Sequence, residues 1–148
     1  MTTQEDQNKA IVRRFFESLG ANDQVALNEL LSADLVAQMP GMPGPVNREV
    51  MLQGVSMISA AFSDSHYIVE DQIAEDDKVT TRTTWRAIHS VGDFQGLPPT
   101  GKRVAAMGIS IERIQDGKIV ERWLSYDQIG VMQHLGLIPP PQVAGREP

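Results

Sequence analysis

The chain has 148 residues, a formal net charge of −6 and no cysteine. This length suits one domain with its own core, and the acidic balance argues against a nucleic-acid partner, because nothing would neutralise the phosphates. Without cysteine there is no disulfide, no thiolate nucleophile and no cysteine-bound metal. The N-terminal segment lacks the basic and apolar regions of a signal peptide, and no apolar run approaches the ~20 residues that a membrane span needs, so we expect a cytoplasmic protein without a membrane partner.

The first third of the chain has helical periodicity. Residues with capping side chains precede three apolar stripes: Thr3, Asp23 and Asn47. Asp6, three residues after Thr3, completes a capping box and marks the first helix, which is predicted to end near Gly20. The third helix is predicted to end near Phe62. A short strand at 34–39 separates the second helix from the third.

From His66 onward the apolar period changes to two, which predicts β-strands. Strands are expected at 66–75, 78–90 and 103–115, with a fourth directly after residue 117. Alternation in the long second strand places Trp85 and His89 on the same inward face. A terminal helix is predicted from Asp127 or Gln128 to Leu135.

The dipeptide Asp116-Gly117 predicts a type I′ hairpin between the last two strands. Two-residue pairing around this turn sets Glu112 opposite Glu121 and Ser110 opposite Trp123. Two ionised glutamates facing each other inside the protein would be destabilising. We therefore interpret Glu112 and Glu121 as an exposed pair near the turn.

These elements predict an α+β fold, in which a cone-shaped, curved antiparallel sheet wraps around helices and leaves one apolar pocket. We expect a single domain over residues 1–138. Residues 139–148 begin with three prolines and are predicted to form an irregular tail.

Several segments resemble the SnoaL-like polyketide cyclases of the nuclear-transport-factor-2-like superfamily. They are HSVGDF at 89–94, GLPPTGKR at 96–103, RIQDGKIVERW at 113–123, and DQIG at 127–130 with QHLG at 133–136. With the helical first third in order, the resemblance covers most of the chain. Because one scaffold in this superfamily hosts several activities, the resemblance specifies fold more strongly than function.

The resemblance implies a cofactor-free, aldol-type ring closure of a small hydrophobic carbonyl compound, with an aspartate as general acid/base. Asp127 is the position that matches this aspartate, and its alternative role is to cap the terminal helix. His89 is predicted to orient the substrate or stabilise an oxyanion, or else to bond a backbone carbonyl. The predicted substrate-binding residues are Phe16, Met39, Trp85, Ser110, Trp123 and Tyr126; the two tryptophans could equally be core residues.

Other chemistries have weaker support in the sequence. No metal site is expected, since the three histidines are far apart and no His-x-His or His-x-x-x-His pair occurs. A ketosteroid isomerase would need a tyrosine and an aspartate where Phe15 and Met39 stand. An epoxide hydrolase would need an Asp-Arg-Asp cluster, of which Asp127 with Arg82 or Arg113 supplies only part.

The remaining alternative is a non-catalytic ligand-binding or dimerisation module. In either case we expect a homodimer, because an open sheet leaves one face or edge to cover.

Overall fold

The structure is a computed structural model that describes residues 2–142. Most of the predicted domain and the start of the proline-rich tail fall within this range. The rest of that predicted tail, residues 143–148, lies outside the described residues.

Four helices occur within residues 2–142: α1 Gln4–Ala21, α2 Gln24–Leu30, α3 Arg48–Ala61 and α4 Gln128–Leu135. Each predicted cap is confirmed, because the side chains of Thr3, Asp23, Asn47 and Asp127 accept a hydrogen bond from the first helical turn. None of these helices is long and apolar enough to cross a membrane.

The five strands of residues 2–142 form one sheet: β1 Leu31–Gln38, β2 Phe62–Glu75, β3 Lys78–His89, β4 Arg103–Gln115 and β5 Lys118–Tyr126. Their order is β1-β5-β4-β3-β2. The strands β2 to β5 are antiparallel neighbours as predicted, whereas β1 joins the edge parallel to β5. The sheet is therefore mixed rather than purely antiparallel.

Helix α1 packs on the inner face of the sheet and supplies the centre of the core. Its residues Phe15 and Phe16 are almost fully buried. The predicted inward face of β3 is confirmed, because all six of its side chains are buried: Val79, Thr81, Thr83, Trp85, Ala87 and His89. The prediction of an α+β fold with helices against a curved sheet is also confirmed.

A β-bulge in β5 changes the predicted pairing of the last hairpin. Ile114 pairs with Ile119 as predicted, but Arg113 then pairs with Glu121, so Val120 has no partner on β4. One extra residue reverses the face of every side chain that follows it in the strand. The inner face of β5 therefore carries Arg122, Leu124 and Tyr126.

Two register predictions are consequently wrong. Glu112 pairs with Arg122 rather than Glu121, and Ser110 pairs with Leu124 rather than Trp123. The expected exposed pair of glutamates does not form, since Glu112 is fully buried. Glu121 instead meets the guanidinium of Arg113 at 3.0 Å.

Candidate functional site

An apolar cavity of about 400 Å³ lies between α1, α3 and the inner face of the sheet. This volume is within the range of small-molecule sites in proteins. Its walls include apolar side chains from every one of these elements: Leu19, Met51, Val55, Ile58, Ala106 and Leu124. Four predicted substrate-binding residues also line it, namely Phe16, Met39, Trp85 and Tyr126. Whether they contact a substrate stays a prediction.

A second, wider depression of about 610 Å³ lies at the start of α1, beside the two hairpin turns. Polar and acidic side chains surround it, among them Glu5, Asp76 and Asp116. Its apolar side chains are Ile11 and Ile114, and no cation lines it within residues 2–142, so the apolar cavity is the better candidate for a hydrophobic ligand.

The inner end of the apolar cavity carries a buried ion pair that links β4 and β5. The Nε of Arg122 donates to Oε2 of Glu112 at 2.8 Å, and the Ser110 hydroxyl donates to Oε1 of the same carboxyl at 2.9 Å. The Arg122 and Glu112 side chains are only 3% and 0% exposed. Both oxygens of Glu112 are thus engaged, while Arg122 lines the cavity.

Burial raises the pKa of two groups near this end of the cavity, Glu112 and Tyr67. It raises the pKa of the Glu112 carboxyl, against the opposing effects of the Arg122 charge and the hydrogen bonds from Ser110 and Arg122. It also raises the pKa of the Tyr67 hydroxyl to about 12, so that Tyr67 remains a neutral hydrogen-bond donor at physiological pH. Tyr67 lines the cavity as well.

Two aromatic rings pack against the Arg122 guanidinium. Its central carbon lies 4.9 Å from the ring centroid of Phe15 and 5.8 Å from that of Phe16. A guanidinium over an aromatic face gains a cation–π attraction, which strengthens when water is excluded. The Nη1 atom also approaches the Met39 sulfur at 3.7 Å, a weak contact.

Asp127 lies at the end of β5 and outside the cavity lining. Its side chain is exposed, and Oδ1 accepts a hydrogen bond from the backbone N–H of Gly130 at 2.8 Å. The aspartate is therefore the N-cap of α4. Its neighbour Tyr126 is partly exposed at the rim of the cavity, and a catalytic role for Asp127 stays a prediction.

His89 also lies outside the cavity lining, although it is fully buried on the inner face of β3. Its Nε2 lies 2.8 Å from the carbonyl oxygen of Gly92, and its Nδ1 lies 3.2 Å from the hydroxyl oxygen of Thr100. Since a carbonyl only accepts, Nε2 donates to the Gly92 carbonyl oxygen. His89 thus anchors the loop between β3 and β4, and its catalytic role stays a prediction.

The remaining predicted contact residues do not line the cavity. Ser110 is buried behind it, where it donates to Glu112. Trp123 faces away, because the bulge at Val120 turns its side chain to the other side of β5. Trp85, by contrast, lines the cavity and donates from Nε1 to the Ser65 hydroxyl at 2.9 Å.

Three residues of the site were not among the sequence predictions: Tyr67, Glu112 and Arg122. The pattern of β4 contains a usable signal, because Glu112 shares its period-two face with Val104 and Ala106. A glutamate on a buried face requires a positive partner. That requirement would have favoured a register that brings an arginine opposite it.

One structural observation bears on the expectation that the protein binds no metal. Within residues 2–142, no group of three or more histidine, aspartate or glutamate side chains is arranged to share a metal ion.

The chain is similar to several proteins of one family. The sequence model of the SnoaL-like polyketide cyclases matches residues 9–135. Aklanonic acid methyl ester cyclase DnrD of Streptomyces peucetius is 31% identical over 142 residues, which cover 92% of each chain. DauD of Streptomyces sp. strain C5, with the same activity in its name, is 31% identical over 132 residues, covering 85% of this chain and 80% of its own.

The crystal structure of IdmH from Streptomyces antibioticus is similar, with a TM-score of 0.80 and 31% identity over 88% of this chain and 99% of that one. The sequence matches and the shared fold agree with each other over most of the chain. The protein belongs to the SnoaL-like polyketide cyclase family.

Proposed function

We propose that the protein is a cofactor-free cyclase that closes a ring within a hydrophobic carbonyl compound by an aldol-type reaction. The observation that carries this proposal is the apolar cavity of about 400 Å³ with one cation, Arg122, among its lining residues within 2–142. Apolar walls suit an aromatic or polycyclic ligand, and the cation suits an oxygen that gains negative charge. The relatives DnrD and DauD, whose names describe cyclases, support the same reaction class.

The reaction conserves all atoms of the substrate. A base removes a proton from the carbon between two carbonyl groups, and the enolate carbon attacks a third carbonyl of the same molecule. A new C–C bond forms, the attacked oxygen becomes an alkoxide, and that alkoxide takes the proton back. The product has the mass of the substrate, so no oxidant or other co-reactant is needed.

Asp127 is the proposed proton acceptor and donor. It follows Tyr126, which lines the rim of the cavity, and it is accessible to solvent. Because its carboxylate lies outside the lining, we propose that one water molecule relays the proton between substrate and carboxylate. A base acting in this way contributes ~10²–10⁴ to the rate.

A ligand-binding module without catalysis is the second candidate. One observation favours it: among the lining residues within 2–142 there is no aspartate, glutamate or histidine. Such a cavity holds a ligand but provides no base in direct contact. Such a module would bind the same class of hydrophobic carbonyl compound without catalysing a reaction.

Aklanonic acid methyl ester, the compound in the names of both relatives, is the first substrate to test. The purified protein is incubated with it in the absence of added cofactor, and the products are separated by chromatography and weighed by mass spectrometry. The proposal expects a new compound of unchanged mass. Binding of the ester without any isomer formed would favour the binding module instead.

The variant Asp127→Asn tests the base, and Asp23→Asn is its matched control. Asp23 caps α2 through the same kind of hydrogen bond, to the Ala26 backbone N–H at 3.1 Å, and it does not line the cavity. Both variants keep most of the capping ability. We expect Asp127→Asn to lower kcat by ~10² or more, while Asp23→Asn retains the wild-type rate. Equal values of kcat for the two variants would exclude Asp127 as the catalytic base.

A further inference from the structure

We propose that Arg122 is the oxyanion-binding group of the cavity, which holds the enolate oxygens of a 1,3-dicarbonyl ligand, and that Glu112 and Ser110 are its positioning residues. This inference deepens the proposed function and rests on it for the ligand class. It assigns to Arg122 the oxyanion role that the sequence had suggested for His89.

The first support is an incomplete set of hydrogen bonds on a buried cation. A guanidinium has five N–H donors, and a buried one is costly unless they are satisfied. The Nε of Arg122 is bonded to Glu112, and Nη1 has only its contact with the Met39 sulfur. Within residues 2–142, no oxygen accepts from Nη1 or Nη2. The donors that remain belong to a side chain that lines the cavity, so an acceptor on the ligand would complete the set.

The second support is the fixed position of the guanidinium. Glu112 holds one edge through Nε, and Ser110 holds Glu112 in turn. The guanidinium also lies over the rings of Phe15 and Phe16, with its central carbon 4.9 and 5.8 Å from their centroids. A donor group that is already oriented loses little freedom when the charge on the ligand develops, and this is the condition for oxyanion stabilisation.

The third support is the pattern of charge along the cavity walls. Arg122 is the only charged side chain among the lining residues within 2–142. The low dielectric of an apolar cavity strengthens its attraction for a negative oxygen. Tyr67 adds a neutral hydroxyl donor to the lining of the same cavity. An enolised 1,3-dicarbonyl flanked by aromatic rings matches this arrangement, because two oxygens share one charge between apolar surfaces.

A simple diketone tests the inference without any turnover. The probe is 1,3-diphenylpropane-1,3-dione, whose enolate absorbs differently from its neutral forms, and the control ligand is the hydrocarbon 1,3-diphenylpropane. The protein variant is Glu112→Gln with Arg122→Met, which removes both charges together and so avoids a buried unpaired ion. Titration of the probe absorbance against pH, free and bound, gives the pKa of the enol in each complex.

The wild type should bind the diketone at least ~10-fold more tightly than the double variant at neutral pH or above, as expected for a charge-assisted hydrogen bond. It should also lower the pKa of the bound enol by about one unit or more relative to the double variant. The affinity for the hydrocarbon should change by less than about twofold, since it has no oxygen to bind.

Two results would overturn the inference. One is an equal pKa of the bound enol in wild type and double variant. The other is an equal loss of affinity for diketone and hydrocarbon, which would mean that the substitutions only reshape the cavity. If the double variant fails to fold, Arg122→Lys replaces it: the charge stays but the paired donors are lost, and the diketone affinity should fall by roughly 3- to 10-fold.

The probe also separates this inference from the proposed function. Failure to cyclise aklanonic acid methyl ester, with the enolate still bound and its pKa lowered, would reject the cyclase and keep Arg122 as the oxyanion group. Turnover that persists in the double variant would do the reverse.

Discussion

Glu112 and Arg122 occupy directly opposed positions of the β4–β5 ladder, and their side chains meet at 2.8 Å with almost no exposure to solvent. Each charge compensates the desolvation of the other, so the pair is stable only as a unit. This mutual dependence gives the first two predictions.

Removal of one charge should cost more than removal of both. We expect Arg122→Met to lower the free energy of unfolding by about 3–5 kcal/mol, because Glu112 is left buried without a cation. Adding Glu112→Gln should recover at least ~1 kcal/mol of that loss, since no unpaired charge then remains. Urea denaturation of the wild type, both single variants and the double variant measures the coupling. Strictly additive losses would mean that the two side chains do not interact.

The pH dependence of stability should reveal the ionisation of Glu112. Burial raises the pKa of this carboxyl above its ordinary value of 4.5, so the folded state holds the proton more tightly than the unfolded state. The contribution of this group to stability is therefore complete below pH 4.5 and is lost as the pH rises through the folded pKa. Relative to Glu112→Gln, which cannot ionise, the wild type should lose free energy of unfolding over that window.

Parallel urea titrations of wild type and Glu112→Gln between about pH 4 and pH 8 test this sign, because the groups common to both proteins cancel. A wild type that gains stability relative to Glu112→Gln as the pH rises would show instead that the attraction of Arg122 outweighs burial and lowers the pKa of Glu112.

His89 should prove to be structural. Both of its ring nitrogens are engaged with the loop between β3 and β4, through Gly92 and Thr100. We expect His89→Ala to lower the free energy of unfolding by about 2–4 kcal/mol, from lost packing and unpaired polar groups. The affinity for the diketone probe should stay within about twofold of the wild type, since His89 does not line the cavity. A large loss of affinity without a loss of stability would restore His89 as a ligand-binding residue.

We expect a homodimer formed through the outer face of the sheet. The outward side chains of β4 include Met107, Ile109 and Ile111, which are 55%, 48% and 36% exposed. An apolar row of this kind on a sheet face indicates a protein contact, and a second copy of the chain can supply it by two-fold symmetry.

Light scattering should give twice the chain mass of 16.3 kDa for the wild type. Ile109→Asp should yield the monomer, because it places a charge in the contact. The control Val25→Asp should remain dimeric, as Val25 is equally apolar and 71% exposed but lies on α2. A wild type that is monomeric at micromolar concentration would reject this interface.

The features that the sequence predicted depend on neighbours close in the chain. Thr3 and Asp23 cap helices through bonds to backbone groups three residues away, and the alternation in β3 needs only its own residues. The fold class followed from these elements. The parallel pairing of β1 with β5 joins segments about 85 residues apart in the chain. A pattern of neighbouring residues therefore cannot predict this pairing.

The site was harder to predict for the same reason. Phe16 and Trp85 line the cavity as expected, since alternation and helical spacing place them inward. Trp123 was predicted to face the cavity because the bulge at Val120 was not recognised. Val120 is neither glycine nor proline, so the sequence contains no signal of a bulge there. Arg122 was missed with it.

The bulge makes the chemistry of the cavity depend on which residue of β5 is left without a partner. Because Val120 has no partner on β4, deleting it in frame would leave Glu121 opposite Arg113 and Arg122 opposite Glu112. The same β5 sequence paired without a bulge would instead carry Arg122 and Leu124 outward and bring Glu121 and Trp123 inward. The cavity would then exchange a guanidinium for a carboxylate without any change of sequence, so the register of one hairpin determines the sign of the charge in the cavity.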